Sequence, residues 1–150
     1  MGGIVNGLAL HSKLIPYGST FLVFSDYMRP SMRLASLMKV NSLFIFTHDS
    51  IYLGEDGPTH QPVEHLMSLR LIPNLDVIRP SNSKELIHSY RYAFEKRDNP
   101  IAIILSRQNM KFFDQDLNYK DFQTGAYEFR PCTDITLVAT GSEVELAFEI

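Results

Sequence analysis

Two histidines and three carboxylates fall within 13 residues, from His48 to His60. They belong to the stretch Thr47-His48-Asp49-Ser50-Ile51-Tyr52-Leu53-Gly54-Glu55-Asp56-Gly57-Pro58-Thr59-His60-Gln61-Pro62. Imidazoles beside carboxylates are the groups that pass protons near neutral pH and hydrogen-bond hydroxyls. Gly54 and Gly57 let the backbone turn sharply and come close to a ligand. The plainer reading stands beside this one: either histidine can be an ordinary surface residue, and Asp56-Gly57 alone is a common turn. His48 and His60 are not at a helical ligand spacing and zinc would need more ligands, so no metal ligand is assigned. A second group is Phe21, Phe24 and Tyr27, whose i, i+3, i+6 spacing places them along one side of a helical turn. Such a stripe either packs a core or lines a slot for a flat heterocycle. Arg107 closes an apolar run, where it either holds a phosphate or carboxylate through both nitrogens or pairs at the surface.

The elements that position these residues alternate between two periods. Residues 1–12 read as the tail of a helix with Ile4, Val5, Leu8 and Leu10 on one face. No capping Ser, Thr or Asp precedes it and Gly2, Gly3 and Gly7 weaken it, so its beginning is expected to lie outside the chain. Residues 14–24 suggest a strand with a turn at Gly18 and a helical turn from Thr20. Residues 31–39 read as a helix capped by Ser31, with Met32, Leu34, Ala35, Leu37 and Met38 as its apolar face. Leu43–Phe46 is a short continuous apolar run, the mark of a strand buried on both faces. The His48 cluster therefore sits at a strand's carboxyl end, where open α/β sheets bind ligands.

A loop over 50–61 leads to a helix at about 62–70 and a strand at Leu75–Ile78, closed by Arg79-Pro80. Ser81 or Asn82 caps a helix reaching about Lys96, with Leu86, Ile87, Tyr90, Ala93 and Phe94 at helical spacing. Ile101–Leu105 is another buried strand, followed at once by Ser106-Arg107-Gln108-Asn109. Residues 110–131 read as a linker and Ile135–Ala139 as a further buried strand. Thr140-Gly141-Ser142 turns and caps a helix from Glu143 that meets no stop signal before Ile150. The alternation predicts an α/β fold, a mostly parallel sheet with helices on both faces, incomplete at both ends.

Composition narrows the classes. The 150 residues suffice for one domain, and 45% hydrophobic with 21% charged residues is globular. The net charge of −3 and the lack of a basic stretch give no footing for nucleic acid. No run of about 18 apolar residues predicts a membrane span, and the Met1–Gly7 segment lacks the basic start of a signal peptide. The single Cys132 cannot form an internal disulfide, which fits a reducing compartment. A cytoplasmic location is expected.

Four ordered blocks together resemble transketolase. Thr47–Pro62 matches the family's T-H-D-S-I-x-x-G-E-D-G-P-T-H-Q-P at nearly every position. Pro16–Phe24 resembles P-Y-x-x-T-F-x-x-F, Leu105–Asn109 matches L-S-R-Q-N, and Thr140–Val144 matches T-G-S-E-V, which opens the third domain. The resemblance implies the thiamine diphosphate-binding pyrimidine-domain fold over 1–125, without its N-terminal part. It makes 126–150 a linker with the first strand and helix of the C-terminal domain. It implies transfer of a two-carbon ketol unit from a ketose phosphate to an aldose phosphate, as in the pentose phosphate pathway. The cofactor would be thiamine diphosphate with Mg2+ or Ca2+, the metal's ligands lying outside this chain. The family forms its active site between two subunits of a homodimer. By carry-over, Phe21, Phe24 and Tyr27 line the aminopyrimidine pocket, with Phe24 stacking on the ring. His60 assists proton transfer beside the reacting carbon, Asp56 binds a donor-sugar hydroxyl, and His48 and Arg107 grip the substrate phosphate.

Departures from the family pattern bear on activity. Met1 aligns with the methionine of the family's R-E-x-x-M, which puts its cofactor-activating glutamate before the chain. The G-D-G motif of the diphosphate domain is absent, and Tyr52 stands where glycine is common. The chain alone is thus expected to be inactive, either as one piece of a split enzyme or as a catalytically dead fragment. Another thiamine diphosphate enzyme, such as a deoxyxylulose phosphate synthase or a pyruvate dehydrogenase subunit, is the alternative that the long loop motif and L-S-R-Q-N speak against.

Overall fold

Side-chain alternation along two apolar runs sets the layers. In β2 (Leu43–Thr47) and β4 (Ile101–Ile104), Phe44, Phe46, Ala102 and Ile104 face one side, while Leu43, Ile101 and Ile103 face the other. With β1 (Tyr17–Phe21) and β3 (Asp76–Ile78) they form a four-stranded sheet in the order β1-β2-β4-β3, every pair parallel. The computed structural model describes residues 1–114, 116–131 and 134–150; Cys132 lies outside the described residues.

Helices cover both faces, as the sequence predicts. On one face Val5 of α1 (Gly2–His11), Met28, Met32 and Ala35 of α2 (Ser25–Met38), and Leu69 of α3 (His65–Arg70) pack on Phe44, Phe46, Ala102 and Ile104. On the other, α4 (Ser83–Glu95) lays Leu86, Tyr90 and Ala93 against Leu43, Ile101 and Ile103. Asn82 caps α4 by accepting a hydrogen bond from the Glu85 N–H at 3.1 Å. Two short helices follow, α5 (Tyr119–Phe122) and α6 (Glu143–Glu149).

Several local expectations are corrected. Of the face predicted for α1 only Val5 is buried; Ile4, Leu8 and Leu10 are exposed, and Gly2 and Asn6 are buried instead. Asn6 is the reason: its Nδ2 donates to the Ser31 carbonyl at 2.8 Å and its Oδ1 accepts from Ser42 at 2.9 Å, turning that side inward. Gly18 makes no turn. It lies inside β1, and a Cβ there would come within 3.1 Å of Val5 Cγ2, so its smallness serves packing. The helix expected over 31–39 begins at Ser25, and Ser31 is no cap. Pro30 sits in the second turn, where its missing N–H forfeits one bond but does not end a helix anchored by Met28 and Met32. Leu34, Leu37 and Met38 are exposed rather than part of a broad apolar face, as are Ile87 and Phe94 on α4. The helix expected from residue 62 starts at His65.

The largest correction concerns Ile135–Ala139. These residues form no strand, and Ile135, Leu137 and Val138 are exposed. A buried strand needs backbone partners, and neither sheet edge, β1 or β3, pairs with this segment.

Candidate active site

The carboxyl ends of all four strands lie along one edge of the sheet. Register sets them level: Phe21 pairs with Thr47, Phe46 with Ile104, and Ile78 with Ile103. His48, Arg79 and Arg107 therefore leave the sheet at the same end. The order β1-β2-β4-β3 inserts β4 between strands that precede it in sequence, so the chain leaving β2 must pass over to reach β3. Such an edge is where open parallel sheets form ligand crevices.

Aromatic rings gather there. Phe21 ends β1, Phe24 ends the 3₁₀ turn Leu22–Phe24, and Tyr27 lies in the first turn of α2. The ring centroids step from Phe21 to Phe24 at 6.1 Å and from Phe24 to Tyr27 at 6.2 Å. The His48 ring stacks on Phe21 at 3.6 Å with planes 20° apart. His60 approaches Phe24 edge-on at 5.5 Å and Phe21 at 6.3 Å. Phe21 and Phe24 are half-buried and Tyr27 is 85% exposed, so this is not a sealed core but an aromatic shelf with an open side. Ring faces set like this, open on one side, have the shape that the face of a flat heterocycle needs.

The two imidazoles are held alike. Thr47 Oγ1 lies 2.9 Å from His48 Nδ1, and Thr59 Oγ1 lies 2.9 Å from His60 Nδ1. Each neighbouring hydroxyl engages Nδ1, so Nε2 is the nitrogen left for a ligand. Gly54 and Gly57, at φ +78° and +82°, fold the loop between the two histidines, with 3₁₀ turns at Ile51–Leu53 and Pro58–His60 on either side. His48 itself has φ +61°. A non-glycine residue in that region costs about 1–3 kcal/mol and persists only where its surroundings hold it.

The remaining predicted residues are placed but not engaged. Asp56 is exposed on the turn between the two glycines, and Arg107 is exposed just beyond β4. Neither makes a hydrogen bond or ion pair among the described residues. Tyr52 is 46% exposed and takes no part in the ring cluster.

A buried ion-pair network beside the cluster is not in the sequence reading. Asp49 follows His48, and its Oδ2 accepts a hydrogen bond from Arg79 Nε at 2.8 Å and lies 2.6 Å from Nη2 in an ion pair. Both side chains are nearly sealed, at 2% and 5% exposure. Arg79 also donates to the Thr140 carbonyl at 3.0 Å, to Ser142 Oγ at 2.9 Å, and to both carboxylate oxygens of Glu143. Burial opposes the guanidinium's charge, but Glu143 and Asp49 outweigh it and raise the Arg79 pKa. Burial likewise pushes the Glu143 carboxyl up, and Arg79 overrides that to hold it below the ordinary carboxylate value. One signal in the sequence pointed here: Arg79 follows β3 directly, at the same sheet edge as Asp49.

Known proteins share this fold. Residues 1–112 match the family described as transketolase, pyrimidine binding domain. The chain belongs to the transketolase family. The transketolase of Halalkalibacterium halodurans is 49% identical over 152 residues, which takes in 98% of this chain and 23% of that protein. The crystal structure of Campylobacter jejuni transketolase superposes with a TM-score of 0.92 at 41% identity, over 99% of this chain and 24% of that one. A Pichia stipitis transketolase structure described as a complex with sedoheptulose 7-phosphate gives 0.93 at 40%, over 99% and 22%. The chain thus spans about a quarter of the length of the relatives it matches.

Proposed function

We propose that this chain is the pyrimidine-binding part of a transketolase that moves a two-carbon ketol unit between sugar phosphates with thiamine diphosphate. The observation that carries the reading is the meeting of Phe21, Phe24, Tyr27, His48 and His60 at one sheet edge, from three separate stretches of chain. When bound, thiamine diphosphate supplies the carbanion chemistry that cleaves and forms the carbon–carbon bond.

This chain's residues would orient and select. Phe24 and Tyr27 offer ring faces to the aminopyrimidine, and Phe21 backs them while holding the His48 ring by stacking. His60, edge-on to Phe24, would stand over the cofactor face and take or give a proton at Nε2, its Nδ1 being engaged by Thr59. His48 at the end of β2 and Arg107 beyond β4, on adjacent strands, would grip a phosphate between them. Asp56, on an exposed turn, would accept a hydrogen bond from a sugar hydroxyl. No metal ligand is assigned to this chain, so Mg2+ or Ca2+ would be held by residues outside it.

The same reading divides the chain at about residue 125, with 126–150 opening a following domain. The exposed Ile135, Leu137 and Val138 support it, since an apolar segment unpaired here is suited to a sheet elsewhere. A homodimer with the site between subunits, a cytoplasmic setting and a place in the pentose phosphate pathway belong to the same reading. No helix among the described residues is long and apolar enough to cross a membrane.

The test is ketol transfer from xylulose 5-phosphate to ribose 5-phosphate, with thiamine diphosphate and magnesium. The chain is assayed alone and beside a second chain carrying the N-terminal portion of a relative. No turnover alone and turnover with the second chain support the reading. Turnover by the chain alone would show that the cofactor needs neither the diphosphate domain nor the glutamate, contrary to the proposal.

A further inference from the structure

His48 is one of three non-glycine residues with positive φ among the described residues, and the other two, Lys39 and Asn74, lie away from the sheet edge. Lys39 is explained by the helix end it closes, where the Val40 N–H reaches back to the Ala35 carbonyl at 2.9 Å. His48 has no helix end to account for it. What lies next to it is Asp49, with a side chain 2% exposed and one carboxylate oxygen hydrogen-bonded to Arg79 Nε and ion-paired with Nη2. The other oxygen, Oδ1, is buried and has no hydrogen-bond partner among the described residues. The carboxylate is thus fixed from a single direction, by Arg79.

Arg79 is in turn fixed from the opposite side by the segment 140–143. Besides the bonds to Thr140, Ser142 and Glu143, Thr140 Oγ1 donates back to the Arg79 carbonyl at 3.2 Å. Ser142 Oγ lies 3.5 Å from Ser50 Oγ, two residues beyond His48. Gly141 presses directly on the guanidinium: a Cβ there would stand 2.6 Å from Arg79 Nε and 2.8 Å from Cζ. A guanidinium set this closely between two acceptor groups cannot shift toward one without leaving the other.

We propose that Arg79 is a positioning residue for His48, and that the 140–143 segment is the latch that sets it. The imidazole is aimed through Asp49, whose backbone continues the strained turn, rather than by any contact of Arg79 with the ring. This rests on the reading of His48 as a phosphate-gripping group only for its consequence, the loss of phosphate binding. The positioning itself is tested independently of that reading.

The experiment is histidine-ring NMR on the 150-residue chain with isotope-labelled histidine, His48 being assigned by His48→Gln. Arg79→Lys keeps the charge but loses the forked geometry. Gly141→Ala, at φ +58°, strains the latch backbone and crowds Arg79, whose Nε, Cγ and Cζ are the atoms nearest the added Cβ. Circular dichroism checks folding, and inorganic phosphate is the ligand probe. Both variants should move the His48 ring resonances and leave those of His11 and His88 in place, since those lie on α1 and α4. Phosphate should shift His48 in the unaltered chain and lose that effect in the variants. His48 resonances unchanged in folded Gly141→Ala chain would overturn the proposal, and that variant decides alone where Arg79→Lys does not fold. If phosphate leaves His48 unmoved in the unaltered chain, the phosphate-gripping role fails, and the resonances of the free chains still decide whether Arg79 positions the ring.

Discussion

Ile101–Leu105 and Ile135–Ala139 are two runs of equal length, the second apolar but for Thr136, that come to opposite ends. The first becomes β4, lying between β2 and β3 with Ile101 to Ile104 at 0–1% exposure. The second pairs with nothing in the sheet, and Val138 is 92% exposed. One threonine does not account for so large a difference; the backbone partners on both sides of the first run do. A few residues on, polar Ser142 is 5% exposed because Arg79 draws it in. Over 135–143, then, attachment follows hydrogen bonds to a buried charge rather than hydrophobicity.

Five substitutions and a fall in pH would break or sharpen this contrast. The largest effect belongs to the sheet: Phe44→Ala removes a fully buried ring beside β4 and should cost about 3–5 kcal/mol in urea unfolding. Val138→Ala in the unpaired run should change stability by less than about 0.5 kcal/mol, and a cost near that of Phe44 would show the run is packed after all. Next is Arg79→Met, which leaves the Asp49 carboxylate buried without its partner and should cost about 3 kcal/mol in the same measurement. Asn82→Ala, removing the α4 cap, should cost about 1 kcal/mol and leave the His48 cluster unchanged by NMR.

The smallest effect is acid-dependent. The Glu143 carboxyl has a folded pKa held below its unfolded value, so its contribution is complete above the unfolded pKa of about 4.3. It is lost as pH falls through the folded value. Methyl resonances of Val144 and Leu146 on α6 should therefore change below about pH 4, before those of Ile101 and Ile103. Glu143→Gln should remove that early step, and simultaneous change in both sets would contradict it.

Much of the fold could be read from the sequence because its strands are short, fully buried and bounded by turn residues. Leu43–Phe46 and Ile101–Leu105 carry no polar residue, and their periodicity leaves little choice. Boundaries failed where a tertiary contact overrode a local rule. Ser31 suggested a helix start where the helix, anchored by Met28 and Met32, already runs from Ser25, and Gly18 suggested a turn where Val5 needs room. The aromatic cluster was legible as residue types, but its assembly from 21–27, 48 and 60 depended on strand register. The Arg79 network was hidden because its acceptors lie 30 and more than 60 residues away in the chain.

The central claim is that this chain supplies the pyrimidine side of a transketolase site, and a chimaera tests it most directly. The matching stretch of the H. halodurans enzyme, 49% identical, is replaced by these 150 residues, and ketol transfer is measured with and without Phe24→Ala. The account predicts turnover by the chimaera, with a raised thiamine diphosphate requirement or lost turnover once the Phe24 ring is removed. A folded chimaera that does not turn over, or one indifferent to Phe24, would contradict it.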